Sequence, residues 1–143
     1  MLTGLYSAVS RQGLSALRTD PAWPGADADD DALRNFRRTL MRRVPGEPGT
    51  ELLASRDFYT KDGFRDLVLH VSEQQCTLAE IGSVMGANKL EFHGFQLPSH
   101  VLGEFLNSYP DDRLPGRLDN WQSFEQANPR TFDGMYNFWC RKA

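Results

Sequence analysis

The residues whose types and spacing would do chemistry fall in a few places along this 143-residue chain. His70 and Glu73 are three apart, so on a helix both point to one side. Aimed into a pocket, such a pair would supply His70 as a general base toward a nitrogen or oxygen nucleophile, with Glu73 beside the substrate. The same pair equally serves a structural end, with His70 closing a helix or orienting a loop, and spacing alone leaves both readings open. Arg56, Asp57, Phe58 and Tyr59 combine a fork of N–H donors, a carboxylate and two rings, a set that would line a polar acceptor pocket. There, too, Asp57 as a cap and the rings as core is an equal reading. His93 and His100 stand at zinc spacing from no cysteine or carboxylate, and Cys76 and Cys140 form no ligand pair, so no metal site is expected. No nucleophile elbow, phosphate loop or Cys–His pair marks another enzyme class.

Periodicity shows what must hold these groups. Thr77 and Glu80 make a capping-box pattern, and Leu78, Ile81, Val84 and Met85 then recur at helical spacing. Gly86 and Asn88 tolerate the left-handed conformation that ends helices. Leu90 to Leu97 alternates strictly, with Leu90, Phe92 and Gly94 opposite Glu91, His93, Phe95 and Leu97, and reads as a strand stopped by Pro98. A helix running directly into a strand is half of an α/β unit, on which the rest is expected to pack.

Around it, Met1 to Ser7 reads as the end of a strand and Ala8 to Arg18 as a short helix. Residues 20–31, rich in proline, glycine and aspartate, predict a mobile loop. Asp29 to Asp31 then cap a helix over Ala32 to Val44, with Leu33, Phe36, Leu40 and Val44 as its stripe and arginines toward its end, as the helix dipole favours. Residues 52–59 fit no single pattern, and Phe64 to Val71 predicts a buried helix. Ser99 is placed to cap a helix carrying Val101, Leu102, Phe105 and Leu106. Asp119 with Gln122 repeats the capping box around Trp121 and Phe124, and Gly134 to Arg141 reads as a last strand. The aromatic residues from Trp121 to Trp139 read mostly as core. The fold class is α/β, with about three strands and five helices.

A chain of this length is expected to be one domain, burying roughly two-thirds of its unfolded surface. A net charge of −3 gives no general attraction to nucleic acid or anionic membrane, so neither is expected as a partner. The arginine face over residues 34–43 reads as solvated charge. No apolar run approaches the roughly 20 residues of a membrane span. The N-terminus shows no secretory pattern and the two cysteines suit reduced thiols, so a cytoplasmic location is expected.

HVSEQQCTLAEIGSVMGANKLEFHGFQLP over residues 70–98 and LDNWQSFEQANPRTFDGMYNFWCRKA over 118–143 resemble the C-terminal part of class I S-adenosylmethionine-dependent methyltransferases. The bacterial type often joined to tetratricopeptide repeats is the nearest in pattern. LYS at 5–7, RDFYT at 56–60 and RDLVLHV at 65–71 follow the same order. The resemblance implies the trailing part of a Rossmann-like sheet. Leu2 to Tyr6 would be the fifth strand, Lys89 to Leu97 the sixth, and Met135 to Lys142 the seventh, antiparallel between the other two. Residues 32–76 would be a helical cap insert and 77–143 the helix–strand–helix–helix–strand end of the sheet, all within one domain of residues 1–143.

This topology puts Tyr6 at the carboxyl end of a strand, where open α/β sheets hold ligands. Tyr6 then joins Arg56, Asp57, Tyr59 and Glu73 on the acceptor side, with His70 as the base. The family's cofactor is S-adenosylmethionine, held by a glycine-rich turn after the first strand. No two glycines here are separated by a single residue, so no cofactor is expected for this chain alone. The implied function is the substrate-side portion of a methyltransferase, inactive by itself. The alternative is a non-catalytic interaction or binding module derived from that fold. An unpaired edge on the fifth strand predicts a homodimer or a complementary methyltransferase chain.

Overall fold

A computed structural model describes residues 1–70 and 74–143. Its strands are β1 (Leu2–Ser7), β2 (Gln75–Cys76), β3 (Leu90–Phe95) and β4 (Met135–Lys142). Its helices are α1 (Gln12–Leu17), α2 (Asp30–Met41), α3 (Lys61–Leu69), α4 (Leu78–Ala87), α5 (Ser99–Ser108) and α6 (Leu118–Ala127). The strands make one mixed sheet in the order β2-β1-β4-β3. β4 lies antiparallel to both β1 and β3, so those two run in the same direction. The expected three strands become four, because β2 pairs parallel with β1 at Tyr6 and Ser7. Among the described residues, no helix is long and apolar enough to cross a membrane.

The chain forms two compact units. The first is Met1–Arg11 with Gln74–Ala143; the second is Gln12–Glu73. In the first unit β4 sets the register. Tyr136, Phe138 and Cys140 are buried while Asn137, Trp139 and Arg141 are exposed, and a one-residue slip would exchange the two sets. The buried side meets Leu78, Ile81 and Met85 of α4, Phe105 of α5, and Trp121 and Phe124 of α6. Trp121 stacks on Phe105 with ring centroids 3.7 Å apart, and its indole N–H donates to the Pro115 carbonyl at 3.0 Å.

The second unit has its own core of Leu14, Leu17, Ala28, Leu33, Phe36, Leu40, Leu52, Phe58, Phe64 and Val68. Asp29 caps α2 by accepting from Ala32 N–H at 2.8 Å. Segment 20–31 is tied down at several points. Asp20 pairs with Arg43 at 2.7 Å, and Trp23 meets Phe36 edge-on at 5.7 Å. The segment 52–59, which fitted no single pattern, falls in two short 3-10 turns, Thr50–Ala54 and Asp57–Tyr59.

Several local expectations yield to tertiary partners. The capping box at Thr77 and Glu80 forms in full, but Val84 on the anticipated apolar face is 60% exposed. The strict alternation of β3 breaks at a bulge between Phe92 and Gly94, where Gly94 takes φ 116. Phe92 and Phe95 then both meet Phe138, on one side of the sheet, rather than opposing each other. α5 is preceded by Pro98 as its cap residue, with Ser99 already helical. α6 starts after Arg117, without the Asp119–Gln122 box. Asp112 accepts the Arg117 N–H instead, at 2.9 Å, and the Gln122 amide oxygen accepts from Ala79 N–H in α4 at 2.8 Å. α1 is shorter than the helix expected over 8–18, and α3 stops at Leu69, before Val71.

Candidate functional site

The residues singled out for chemistry divide between the units. Tyr6 belongs to the first; Arg56, Asp57, Tyr59, His70 and Glu73 fall in the second. Glu73 lies outside the described residues. His70 is exposed and ends α3 with extended backbone (φ −68, ψ 92), so it is not the helical partner that the three-residue spacing assumed. Its N–H donates to Asp66 and its carbonyl accepts from Arg18 at 2.7 Å, which is the helix-closing role. Arg56 and Asp57 are exposed, and the Tyr59 hydroxyl donates to the Leu53 carbonyl at 2.9 Å. Phe58 between them is fully buried core against Phe64. These residues precede α3 and His70 follows it. The nine residues of α3 separate the two groups by about 14 Å at 1.5 Å per residue, so they do not converge on one reacting atom.

The first unit does gather polar groups, at the carboxyl ends of β1 and β3. Tyr6 is half-buried there, with the Arg11 guanidinium 4.7 Å from its ring centroid. Next to it, Ser7 ends β1 fully buried. Its hydroxyl donates to one Glu125 carboxyl oxygen at 2.5 Å, and the Tyr136 hydroxyl donates to the other at 2.7 Å. The Ser10 N–H in turn donates to Ser7 Oγ at 3.0 Å. Burial raises the Glu125 carboxyl above the usual range, against the pull of the Ser7 and Tyr136 hydrogen bonds. Burial likewise pushes the Tyr136 phenol upward, and its carboxylate neighbour adds to this. With no solvent access, this cluster does not act on a ligand. It clasps α6 to β1 and β4 at the carboxyl end of β1.

Sequence reasoning missed that cluster, though one half of its signal was readable. Trp121, Phe124 and Glu125 share the apolar stripe of α6, so Glu125 is a carboxylate at a core position. Ser7 and Tyr136 carry no such sign.

A cleft of about 590 Å³ opens between the end of β3, the start of α5 and the turn entering β4. Its polar lining is Gln96, His100, Arg130, Thr131, Asp133 and Asn137; Leu97, Val101 and Met135 supply apolar wall. His100 is part of that lining. Among the described residues, no group of three His, Cys, Asp or Glu stands where it would hold a metal ion. The arrangement suits binding and orienting a small polar molecule; it shows no nucleophile paired with a base. No protein-family model matches the chain, and no curated protein matches it either.

Proposed function

We propose that the first unit is the substrate-side portion of an S-adenosylmethionine-dependent methyltransferase sheet, without activity by itself. The observation that carries this reading is the position of β4, antiparallel between two strands that run in one direction. On this reading β1, β3 and β4 would be the fifth, sixth and seventh strands of that Rossmann-like fold, and an antiparallel β4 between parallel β1 and β3 supports it. The cofactor itself does not fit the residues present. No glycine pair of the G-x-G kind exists to let a backbone approach it closely, so the residues of this chain support no step through it. What the unit contributes is sheet, helices and a cleft at the ligand end, so that a donor held elsewhere meets an acceptor already positioned.

A second reading, a non-catalytic binding module on the same fold, is favoured by one feature. The outer edge of β1 is paired by β2 at Tyr6 and Ser7, while no described strand pairs there with Leu2 to Leu5. Such an edge accepts another strand, from a second copy or from a complementary methyltransferase chain.

Titration calorimetry with S-adenosylhomocysteine, run above and below the concentration at which the chain self-associates, tests both. The first reading expects no heat from the monomer and binding only in an assembly. One equivalent bound per monomer would overturn it, since this chain would then hold the cofactor unaided. No binding in any state, with a monodisperse species by light scattering, would leave the binding module.

A further inference from the structure

The cleft at the end of β3 is lined by exposed polar side chains. Among the described residues, the side chains of Gln96, His100, Arg130, Asp133 and Asn137 have no hydrogen-bond or ion-pair partner in the protein. Arg130 and Asp133 are the informative two. They sit three apart on one turn, closed by the Asp133 N–H donating to the Arg130 carbonyl at 3.2 Å. Opposite charges so close in sequence commonly neutralise each other, yet these two both face the cleft and form no ion pair.

The turn that carries them is fixed. Phe132, between them, is buried with its ring 4.6 Å from Phe95 and 4.8 Å from Tyr136. Thr131 Oγ1 donates to the Asn128 carbonyl at 2.6 Å and Ser10 Oγ to the Pro129 carbonyl at 2.8 Å. Asp133 and Gly134 complete it in left-handed conformations, φ 50 and φ 96. A turn pinned on both sides loses little backbone freedom when a ligand arrives, so the backbone that carries the two exposed charges is preorganised.

Arg130 and Asp133 give the cleft one guanidinium and one carboxylate. A simple anion gains from Arg130 and meets Asp133; a simple cation meets the reverse. A molecule bearing both charges satisfies both. Beside the polar Gln96, His100, Thr131 and Asn137, the wall includes an apolar part from Leu97, Val101 and Met135. The volume is within the range of small-molecule sites.

We propose that this cleft binds a zwitterion of the α-amino-acid type with an apolar side chain. Its carboxylate rests on Arg130, its ammonium on Asp133, and its side chain against Leu97, Val101 and Met135. The inference rests on the cleft alone and stands whether or not the methyltransferase reading does.

The test is an NMR titration of the isotope-labelled full chain with L-leucine. 4-Methylpentanoate serves as the probe lacking the ammonium, and isoamylamine as the probe lacking the carboxylate. L-Leucine is expected to shift the amides of residues 96–101 and 130–137 saturably at millimolar concentration. Each single-charge probe should bind about tenfold more weakly or worse. Arg130→Gln and Asp133→Asn should each weaken leucine binding by about tenfold or more. Asparagine tolerates the left-handed backbone at 133, so the second variant keeps the turn, and unchanged amide shifts outside the cleft verify it. Absence of saturable shifts in the cleft, leucine binding indifferent to both substitutions, or 4-methylpentanoate binding as tightly as leucine would each overturn the proposal.

Discussion

Replacing Glu125 by alanine should cost the first unit about 3 kcal/mol, through losses that can be traced singly. Two hydroxyls would lose their acceptor. Ser7 keeps the N–H it receives from Ser10, so its stranded O–H costs about 1 kcal/mol; Tyr136, fully buried, loses about 1–3 kcal/mol. The removed Cγ and its share of packing add about 1 kcal/mol. Against this, deletion relieves the cost of holding a carboxyl out of water, which is why the total lies near the lower end. Glu125→Gln, which keeps the shape and removes the titration, separates the parts. The folded-state pKa of Glu125 lies above its unfolded value, so the folded protein binds the extra proton. Stability from this site is therefore full below the ordinary glutamate range and is lost as pH rises toward the raised folded value. The wild type should weaken relative to Glu125→Gln as pH climbs out of the ordinary glutamate range and through that raised value. Urea unfolding followed by Trp121 fluorescence, with Trp23 and Trp139 replaced by phenylalanine, reads the first unit. A cost below about 0.5 kcal/mol for Glu125→Ala, or parallel pH curves for wild type and Glu125→Gln, would refute the buried clasp.

Trp121→Ala removes the ring stacked on Phe105 and the hydrogen bond to Pro115, and should cost about 3–5 kcal/mol, seen as accelerated hydrogen exchange of the β4 amides. In the second unit, Arg43 donates both to Asp20 and to the Pro48 carbonyl at 2.6 Å, and Arg43→Gln should cost about 1–2 kcal/mol in a thermal or urea melt at neutral pH. The Ala22 N–H, followed by Arg43, holds the Asp20 carboxyl below its usual range, so this stability is present at neutral pH and lost as pH falls through that lowered value. The variant's melting temperature should accordingly fall less than the wild type's on acidification.

What was legible in the chain was what four or five consecutive residues decide among themselves. The Thr77–Glu80 box formed because both halves of it lie within one turn, and the Asp29 cap formed for the same reason. The last strand was legible as a strand but its two faces were not, since Trp139, grouped with Tyr136 and Phe138 among residues read mostly as core, is 50% exposed on the opposite side. Expectations failed where a distant group competed for the same atoms. Asp112 took the Arg117 N–H, and Gln122 turned from its own helix end to the Ala79 N–H of α4, so the second capping box did not form. The β3 bulge is a property of pairing with β4, and the local alternation of Leu90 to Leu97 carries no trace of it. His70 failed as half of a helical pair for a subtler reason, since the apolar spacing from Phe64 to Val71 continues past the point where the backbone stops being helical. The buried clasp and the cleft are both of the distant kind. The clasp joins Ser7 to Glu125 across 118 positions, and the cleft is assembled from a strand end, a helix start and a turn. Arg130 and Asp133 look like ordinary loop charges until Phe132 is seen to be buried between them. A buried aromatic flanked by two solvent-facing opposite charges on a left-handed turn is a pattern that a sequence reader can search for, and here it points to the cleft more directly than any histidine did.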